Sequence, residues 1–182
     1  MIVNLHHRAL AAPPEEAGRL IDSLASDDDR LWPRDSWPAM RFDRPLGVGA
    51  RGGHAFVRYR VVQYLPGERI TFAFDPRIGV SGTHTFEVVP RRDGGSELRH
   101  AMEASAHGRV RLTWPLAIRW LHDACLEDAL DRAETALGSP PERPARWSPW
   151  VRLLRRAMRV RGTGRPARER GPADAAGASL SR

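Results

Sequence analysis

Four consecutive segments rich in β-branched and aromatic residues, separated by short turn sequences, constrain the fold of this chain most strongly. The segments span residues 54–64, 69–75, 82–90 and 97–106. Pro66-Gly67 separates the first pair, and Asp93-Gly94-Gly95 separates the last pair. Such turn sequences between strand-like runs are typical of β-hairpins. Because strands joined by hairpins run antiparallel, the sequence predicts an antiparallel meander.

Further elements are predicted before the meander. Residues 2–10 alternate loosely between polar and apolar side chains and predict a first strand. Pro13-Pro14, followed by two glutamates, predicts a helix start, because prolines fit a first turn and acidic groups suit its positive end. We expect this helix to end in solvent at Asp27-Asp28-Asp29. Met40 and Phe42 indicate a short strand after it.

One long helix is predicted after the meander, over residues 111–137, and Gly138 with the prolines after it ends the pattern. Its apolar residues recur at helical spacing and are Leu112, Trp114, Ile118, Leu121, Cys125, Leu130, Ala133 and Leu137. An antiparallel sheet next to one helix must bury a face against it. A strongly curved sheet leaves a hollow between the two, where a ligand would sit.

Several segments in this order resemble proteins of the START/polyketide-cyclase superfamily, also called SRPBCC proteins. The segments are Leu31-Trp32-Pro33, residues 52–69, residues 82–88 and residues 114–128. The resemblance covers residues 1–138. It implies an α+β, helix-grip (START-like) fold, in which a curved antiparallel sheet wraps around a long C-terminal helix and encloses a cavity. It transfers no catalytic residue, because this superfamily includes lipid carriers, cyclases, hydrolases and ligand-triggered regulators.

Charge is distributed unevenly and divides the chain. All 29 basic residues are arginines, and the net charge is +7. Residues 1–141 have a net charge of −1, whereas residues 142–182 have a net charge of +8. We therefore expect a ligand-binding domain at 1–138, a Pro-rich linker at 139–148, a basic amphipathic helix at 149–161 and a disordered tail at 162–182.

Alternation along the predicted strands indicates which side chains face the hollow. Tyr59, His84 and His100 are polar residues on otherwise apolar faces. They either orient the polar end of an apolar ligand or are hydrogen-bonded core residues, and the sequence leaves both interpretations open. The full predicted ligand-binding set is Tyr59, Phe72, Phe74, His84, Phe86, His100, Met102, Trp114, Ile118 and Leu121.

Two patterns suggest other sites and are rejected. His122, Asp123, Glu127 and Asp128 are of metal-binding types, but the helical spacing separates His122 from Glu127 and places Asp123 and Glu127 as like charges four residues apart. We therefore expect a solvated helix face and no metal. Residues 47–52 match a dinucleotide-binding glycine pattern, but they lead into a strand and not into a helix. No cofactor is expected.

The function predicted from these features is binding or transport of a small apolar molecule, a lipid or a polyketide-like compound, in an internal cavity. The alternative is a polyketide cyclase/dehydratase-type enzyme in which His84, His100 or Tyr59 moves protons. Nucleic-acid binding ranks last, because the domain is nearly neutral without its arginine-rich tail. Cys125, the single cysteine, excludes an internal disulfide and fits a core position.

The predicted helix at 149–161 has an apolar stripe beside an arginine-rich face. The residues predicted to contact a membrane or partner are Trp150, Leu153, Leu154, Arg155 and Arg156. A basic amphipathic helix with a tryptophan is typical of an anionic membrane surface or a protein partner. The stripe would equally suit packing back on the domain. With no signal-peptide pattern at its N-terminus, the chain is predicted to be cytoplasmic, and the alternative is a peripheral association with a membrane.

Overall fold

The computed structural model describes residues 1–162, with side chains as far as Met158. The strands are β1 (Ile2–Leu10), β2 (Arg41–Phe42), β3 (Arg51–His54), β4 (Val57–Leu65), β5 (Arg69–Phe74), β6 (Val80–Pro90) and β7 (Ser96–Ala106). The helices are α1 (Pro14–Asp22), α2 (Val110–Thr113), α3 (Arg119–Ala136) and α4 (Pro149–Gly162). A 3₁₀ turn covers Pro76–Ile78, and a π turn (Trp114–Ile118) separates α2 from α3.

The seven strands form one antiparallel sheet in the order β1-β7-β6-β5-β4-β3-β2. Strand β1, the first in the chain, pairs with β7, the last, along its whole length. Helix α3 lies across one face of this sheet and contacts β1 directly. The architecture is therefore α+β with a long helix against an antiparallel sheet, which is consistent with the predicted helix-grip fold.

The prediction of one long strand over residues 54–64 is wrong. A two-residue turn at Ala55 and Phe56 divides it into β3 and β4, which pair from His54 opposite Val57. Ala55 adopts a left-handed backbone with φ of 48°. Gly53 lies so close to β4 that a Cβ would stand 1.9 Å from the Val57 carbonyl oxygen. The turn lacks the Asn-Gly or Asp-Gly pair that normally indicates such hairpins, so the sequence pattern did not reveal it.

The expectation that Asp29 lies in solvent is also wrong. Asp29 is 3% exposed. Its carboxylate accepts backbone N–H groups from Ala25 at 2.8 Å, Leu31 at 3.0 Å and Trp32 at 2.8 Å. The carboxylate thus supplies hydrogen-bond acceptors for three backbone N–H groups of the loop, and it positions the Trp32 ring in the interior.

A β-bulge in β4 changes which side chains face inward. Val61 pairs with Phe72 and Gln63 pairs with Thr71, so Val62 is an extra residue. Tyr59 and Val61 are buried before the bulge, whereas the inward phase passes to Tyr64 after it. Bulges bend a strand and increase its twist. The bulge therefore contributes to the curvature that wraps the sheet around its contents.

The long helix predicted at 111–137 is present but interrupted. Its first part is α2, followed by the π turn and then α3. Pro115 lies in the π turn. Proline has no N–H to donate and clashes with the preceding turn, so the backbone widens there.

Helix α4 packs on the domain. Ser148 Oγ accepts the Val151 N–H at 3.2 Å and caps the helix, and Val151 is 3% exposed. The Arg155 guanidinium stands 4.2 Å from the centre of the Trp37 ring. Trp150 and Leu153 keep large exposed surfaces, so docking to a membrane or partner stays a prediction. The predicted disordered tail lies outside the described residues, apart from Gly162.

Helix α1 depends on a glycine where it meets the sheet. A Cβ on Gly18 would stand 2.0 Å from the Gly67 carbonyl oxygen in the β4–β5 turn. We predict that Gly18→Ala lowers the free energy of unfolding by roughly 1–3 kcal/mol or more, because backbone must move to admit the methyl group. Urea denaturation measures this loss.

Gly47→Ala is the matched control. Its nearest neighbour would be the Pro45 carbonyl oxygen at 3.9 Å, which is an ordinary contact. Equal unfolding midpoints for both variants would contradict the close approach of α1 to the turn.

Candidate functional site

A cavity of about 140 Å³ lies between the sheet, the β3–β4 turn, the π turn and α3. Met158 of α4 also contacts it. The apolar lining side chains are Trp32, Trp37, Pro38, Ala55, Phe56, Val57, Phe74, Ile78, Val80, Met102, Val110, Trp114, Ile118, Leu121, Cys125, Leu126 and Met158. The polar lining side chains are four histidines, His54, His84, His100 and His122.

Seven of the ten residues predicted to bind a ligand line this cavity. They are Phe74, His84, His100, Met102, Trp114, Ile118 and Leu121. The other three, Tyr59, Phe72 and Phe86, are buried in the core and do not line it. They support the lining from behind, since Tyr59 and Phe72 pack against the His84 ring and Phe86 packs against the His100 ring.

The histidines form a continuous row from the sheet to the helix. His84 is stacked between Phe72 and Phe74, each with ring centres 4.8 Å away. His84 Nδ1 lies 3.3 Å from His100 Nε2. The His100 and His122 ring centres are 5.3 Å apart. The row thus joins β6, β7 and α3 through neighbouring imidazoles.

Burial keeps these imidazoles neutral. It lowers the pKa of His84 and His100 well below the ordinary histidine value, and nearby histidines lower it further. Burial also lowers the pKa of His54 to about 3. A neutral imidazole has one donor and one acceptor nitrogen. His84 Nε2 and His100 Nδ1 are buried and have no hydrogen-bond partner among the described residues.

Sequence reasoning missed several lining residues. His54 was placed at the start of the predicted strand 54–64, but it ends β3 beside the turn, where Nδ1 lies 3.1 Å from the Tyr59 hydroxyl. Trp32 and Trp37 come from a loop without periodic pattern. Cys125 lines the cavity as a thiol, because burial raises its pKa well above the ordinary value. The local tryptophan content was the one available signal for the loop.

The prediction of a solvated face at His122, Asp123, Glu127 and Asp128 is wrong. Strand β1 covers the first three, and Asp128 accepts the indole N–H groups of Trp37 and Trp147 at 2.7 and 2.9 Å. Periodicity within one helix could not show this, because the partners lie outside the helix, and those in β1 and the Trp37 loop are 91–121 residues away in the chain.

The inward residues of β1 match acidic residues of α3. Asn4 Nδ2 donates to Asp123 at 2.8 Å, and His6 Nδ1 lies 2.7 Å from Glu127. Arg8 pairs with Glu127 and with two further carboxylates, those of Asp131 and Glu134. Alternate strand residues are about 6.8 Å apart and helix residues i and i+4 about 6 Å apart, so the two series stay in step. We call this contact the β1–α3 seam.

Electrostatics within the seam favours its charged form. Burial alone would lower the pKa of His6, but its contacts with Asp123 and Glu127 raise it overall. Burial would raise the pKa of Asp123, but His122 and the hydrogen bonds from His6 and Asn4 lower it overall. Burial lowers the pKa of His122, against a smaller opposing effect of Asp123.

No protein family matches this sequence, and no curated protein matches it. Solved structures with the same fold do match. Norcoclaurine synthase from Thalictrum flavum aligns with a TM-score of 0.58 at 16% identity, over 75% of this chain and 86% of that protein. XoxI from Bacillus cereus aligns with a TM-score of 0.57 at 15% identity, over 75% and 95% of the two chains.

A protein from Thermobifida fusca aligns with a TM-score of 0.55 at 19% identity, over 75% of this chain and 95% of that one. These likenesses support the predicted fold, an antiparallel sheet with a long helix. At such identities the likeness establishes the fold and transfers no ligand or reaction. Across residues 1–162, no helix is long and apolar enough to cross a bilayer.

The buried histidines predict loss of stability in acid. Each has a folded-state pKa below its unfolded value, so the unfolded chain binds protons first as pH falls below about 6.5. We predict that His84→Phe reduces the dependence of unfolding free energy on pH by about 1.4 kcal/mol per pH unit, between about pH 6.5 and the folded pKa. Phenylalanine fits the stack between Phe72 and Phe74 and binds no proton.

Urea denaturation at several pH values measures this slope. His107→Gln is the control, because His107 is an exposed histidine outside the cavity lining. An unchanged slope in His84→Phe would mean that His84 is not held as a buried neutral imidazole.

Proposed function

We propose that this protein binds a small apolar molecule containing a ring in the cavity between the sheet and α3. The observation that carries the proposal is a cavity with largely apolar walls whose polar side chains are histidines, two of which keep a buried nitrogen without a hydrogen-bond partner among the described residues. Buried polar atoms in native proteins normally have partners. A bound molecule with one polar substituent would supply the partners that His84 and His100 lack.

Cavity size selects the class of ligand. The cavity volume is about 140 Å³. Engineered cavities that bind benzene have a similar volume, about 150 Å³. Pockets for larger ligands usually span about 300–1,000 Å³. A compact ring therefore fits the site as it stands, whereas a lipid chain or a full polyketide needs more room than this volume offers. One solved structure of norcoclaurine synthase, a protein of similar fold, contains a transition-state analogue.

The polar side chains of the lining also restrict the charge of the ligand. Every polar side chain in the lining is a histidine whose pKa burial lowers. No arginine of the described chain lines the cavity. Burying an unpaired carboxylate there would be costly, because nothing in the wall compensates its charge. The expected ligand is thus neutral, with a hydroxyl or carbonyl group that bonds an imidazole nitrogen.

Three probes that share one ethyl-substituted ring test this proposal: 4-ethylphenol, ethylbenzene and 4-ethylbenzoate. Ligand-observed NMR titrations should rank 4-ethylphenol first, several-fold tighter than ethylbenzene, because one hydrogen bond contributes about 0.5–1.5 kcal/mol. The benzoate should bind worst. Ile118→Trp should abolish binding by filling the cavity.

Leu116→Trp is the matched control. Leu116 lies in the same π turn but is 65% exposed and does not line the cavity. Equal loss of binding in both variants, or tightest binding of the benzoate, would contradict the proposed site.

A cyclase/dehydratase-type enzyme is the second candidate, and the row of imidazoles favours it. Neutral histidines can accept a proton at one nitrogen and release another, and His84, His100 and His122 are adjacent. In this case the protein should accelerate deuterium exchange of the α protons of 2-indanone, measured by NMR in D₂O. His100→Phe should abolish the acceleration while 4-ethylphenol still binds, and His107→Gln should not. If 2-indanone exchanges at the same rate with the protein as in buffer without it, the enzyme proposal fails and ligand binding remains as the proposed function.

A further inference from the structure

A cluster of metal-ligand types lies in the β1–α3 seam, beside the cavity. It consists of His6 from β1 and His122 and Asp123 from α3, whose ligand atoms all lie within 4.8 Å of one another. All three side chains are partly buried. Two imidazoles and one carboxylate are a common donor set for transition metals in proteins.

The hydrogen bonds of His6 determine which nitrogen is available. Nδ1 lies 2.7 Å from Glu127 Oε1, and a carboxylate can only accept, so Nδ1 carries the proton. Nε2 then faces Asp123 Oδ1 at 3.3 Å. That contact needs a positive centre: either a second proton on the ring or a cation shared by the nitrogen and the oxygen. A carboxylate on the rear nitrogen, as Glu127 is here, is the usual outer support of a metal-binding histidine.

The other two members are held in place with unpaired atoms nearby. Asn4 Nδ2 donates to Asp123 Oδ1 at 2.8 Å, which fixes the carboxylate. His122 Nδ1 is 3.8 Å from the same oxygen. His122 Nδ1 and Asn4 Oδ1 are buried without a hydrogen-bond partner in the part of the chain that is described. A buried nitrogen without a partner next to a carboxylate calls for an explanation, and a shared cation supplies one.

Charge in the seam also suits a divalent ion. Asp123, Glu127, Asp131 and Glu134 supply four negative charges, while Arg8 and Arg119 supply two positive charges. When a metal ion takes the place of the second proton of His6, both histidines are neutral and the seam keeps two negative charges. A divalent cation would neutralise them.

We propose that His6, His122 and Asp123 bind one divalent transition-metal ion of the Zn²⁺ class. The three ligands must close by about an ångström, because donor atoms around zinc stand about 2.0–2.2 Å from the metal. Three protein ligands leave a coordination position open. Since His122 also lines the cavity, that position adjoins the ligand space. This site is independent of the proposed ring-binding function.

Isothermal titration of the tag-free full chain with Zn²⁺, without any organic ligand, tests the site. We expect one ion per chain and at least a hundredfold loss of affinity in His6→Gln, in His122→Gln and in Asp123→Asn. Glu127→Gln should keep one ion but lose about 10–100-fold in affinity, as supporting residues do. His7→Gln is the matched control, because His7 is on the same strand with its side chain 69% exposed.

Two further measurements keep the result interpretable. Thermal unfolding of each variant in the presence of a chelator tests whether the variant folds without metal. The visible absorption of Co²⁺ in the wild-type protein reports nitrogen and oxygen ligands directly, so the site is testable even where a variant fails to fold. The titration contains no organic ligand, so Zn²⁺ binding is measured separately from ring binding, and either proposal can fail while the other holds.

The proposal is overturned if no ion binds stoichiometrically, or if His7→Gln reduces affinity as much as His6→Gln does. It is also overturned if the three ligand variants bind Zn²⁺ as the wild type does. In those cases His6 is an imidazolium that bridges Asp123 and Glu127, and its role is to hold β1 on α3.

Discussion

The packing of α3 against the curved sheet is the contact on which the rest of the structure depends. One side of the helix buries Leu126, Leu130 and Ala133 in the main core. The adjacent side meets β1 through hydrogen bonds and ion pairs, so α3 shows no single apolar stripe. Apolar burial provides the driving force, and the seam fixes how the helix is oriented and how far it lies along β1.

This arrangement leaves an interior space because the helix cannot follow the sheet everywhere. The sheet bends at the β4 bulge, while the helical segment widens at Pro115, where the π turn begins. The cavity lies beside the π turn, and tryptophans from the loop before β2 close it. Cavity and seam share His122, so a molecule bound in one and a cation bound in the other would be neighbours.

Predictions from the sequence succeeded where structure is local and repetitive. Alternation along β6 and β7 placed His84 and His100 on the inward face, since a strand repeats every two residues. Alternation failed where the chain turns without a recognisable turn sequence, since the turn that begins at Ala55 divides a predicted strand. The loop tryptophans were missed because they have no period. His6 was missed as a candidate because its significance depends on Asp123 and Glu127, more than a hundred residues away.

The sequence by itself determined the meander, the helices that flank it and the inward faces of the central strands, because turn residues and side-chain periodicity act over a few neighbouring positions. Only the tertiary structure decided which polar residues meet. Pairing β1 with β7 brought the first residues of the chain over α3, which turned acidic residues that appear solvent-facing in the sequence into a seam with His6 and Arg8. Contacts between distant segments depend on how the sheet curves and closes, and no periodicity within either segment records that.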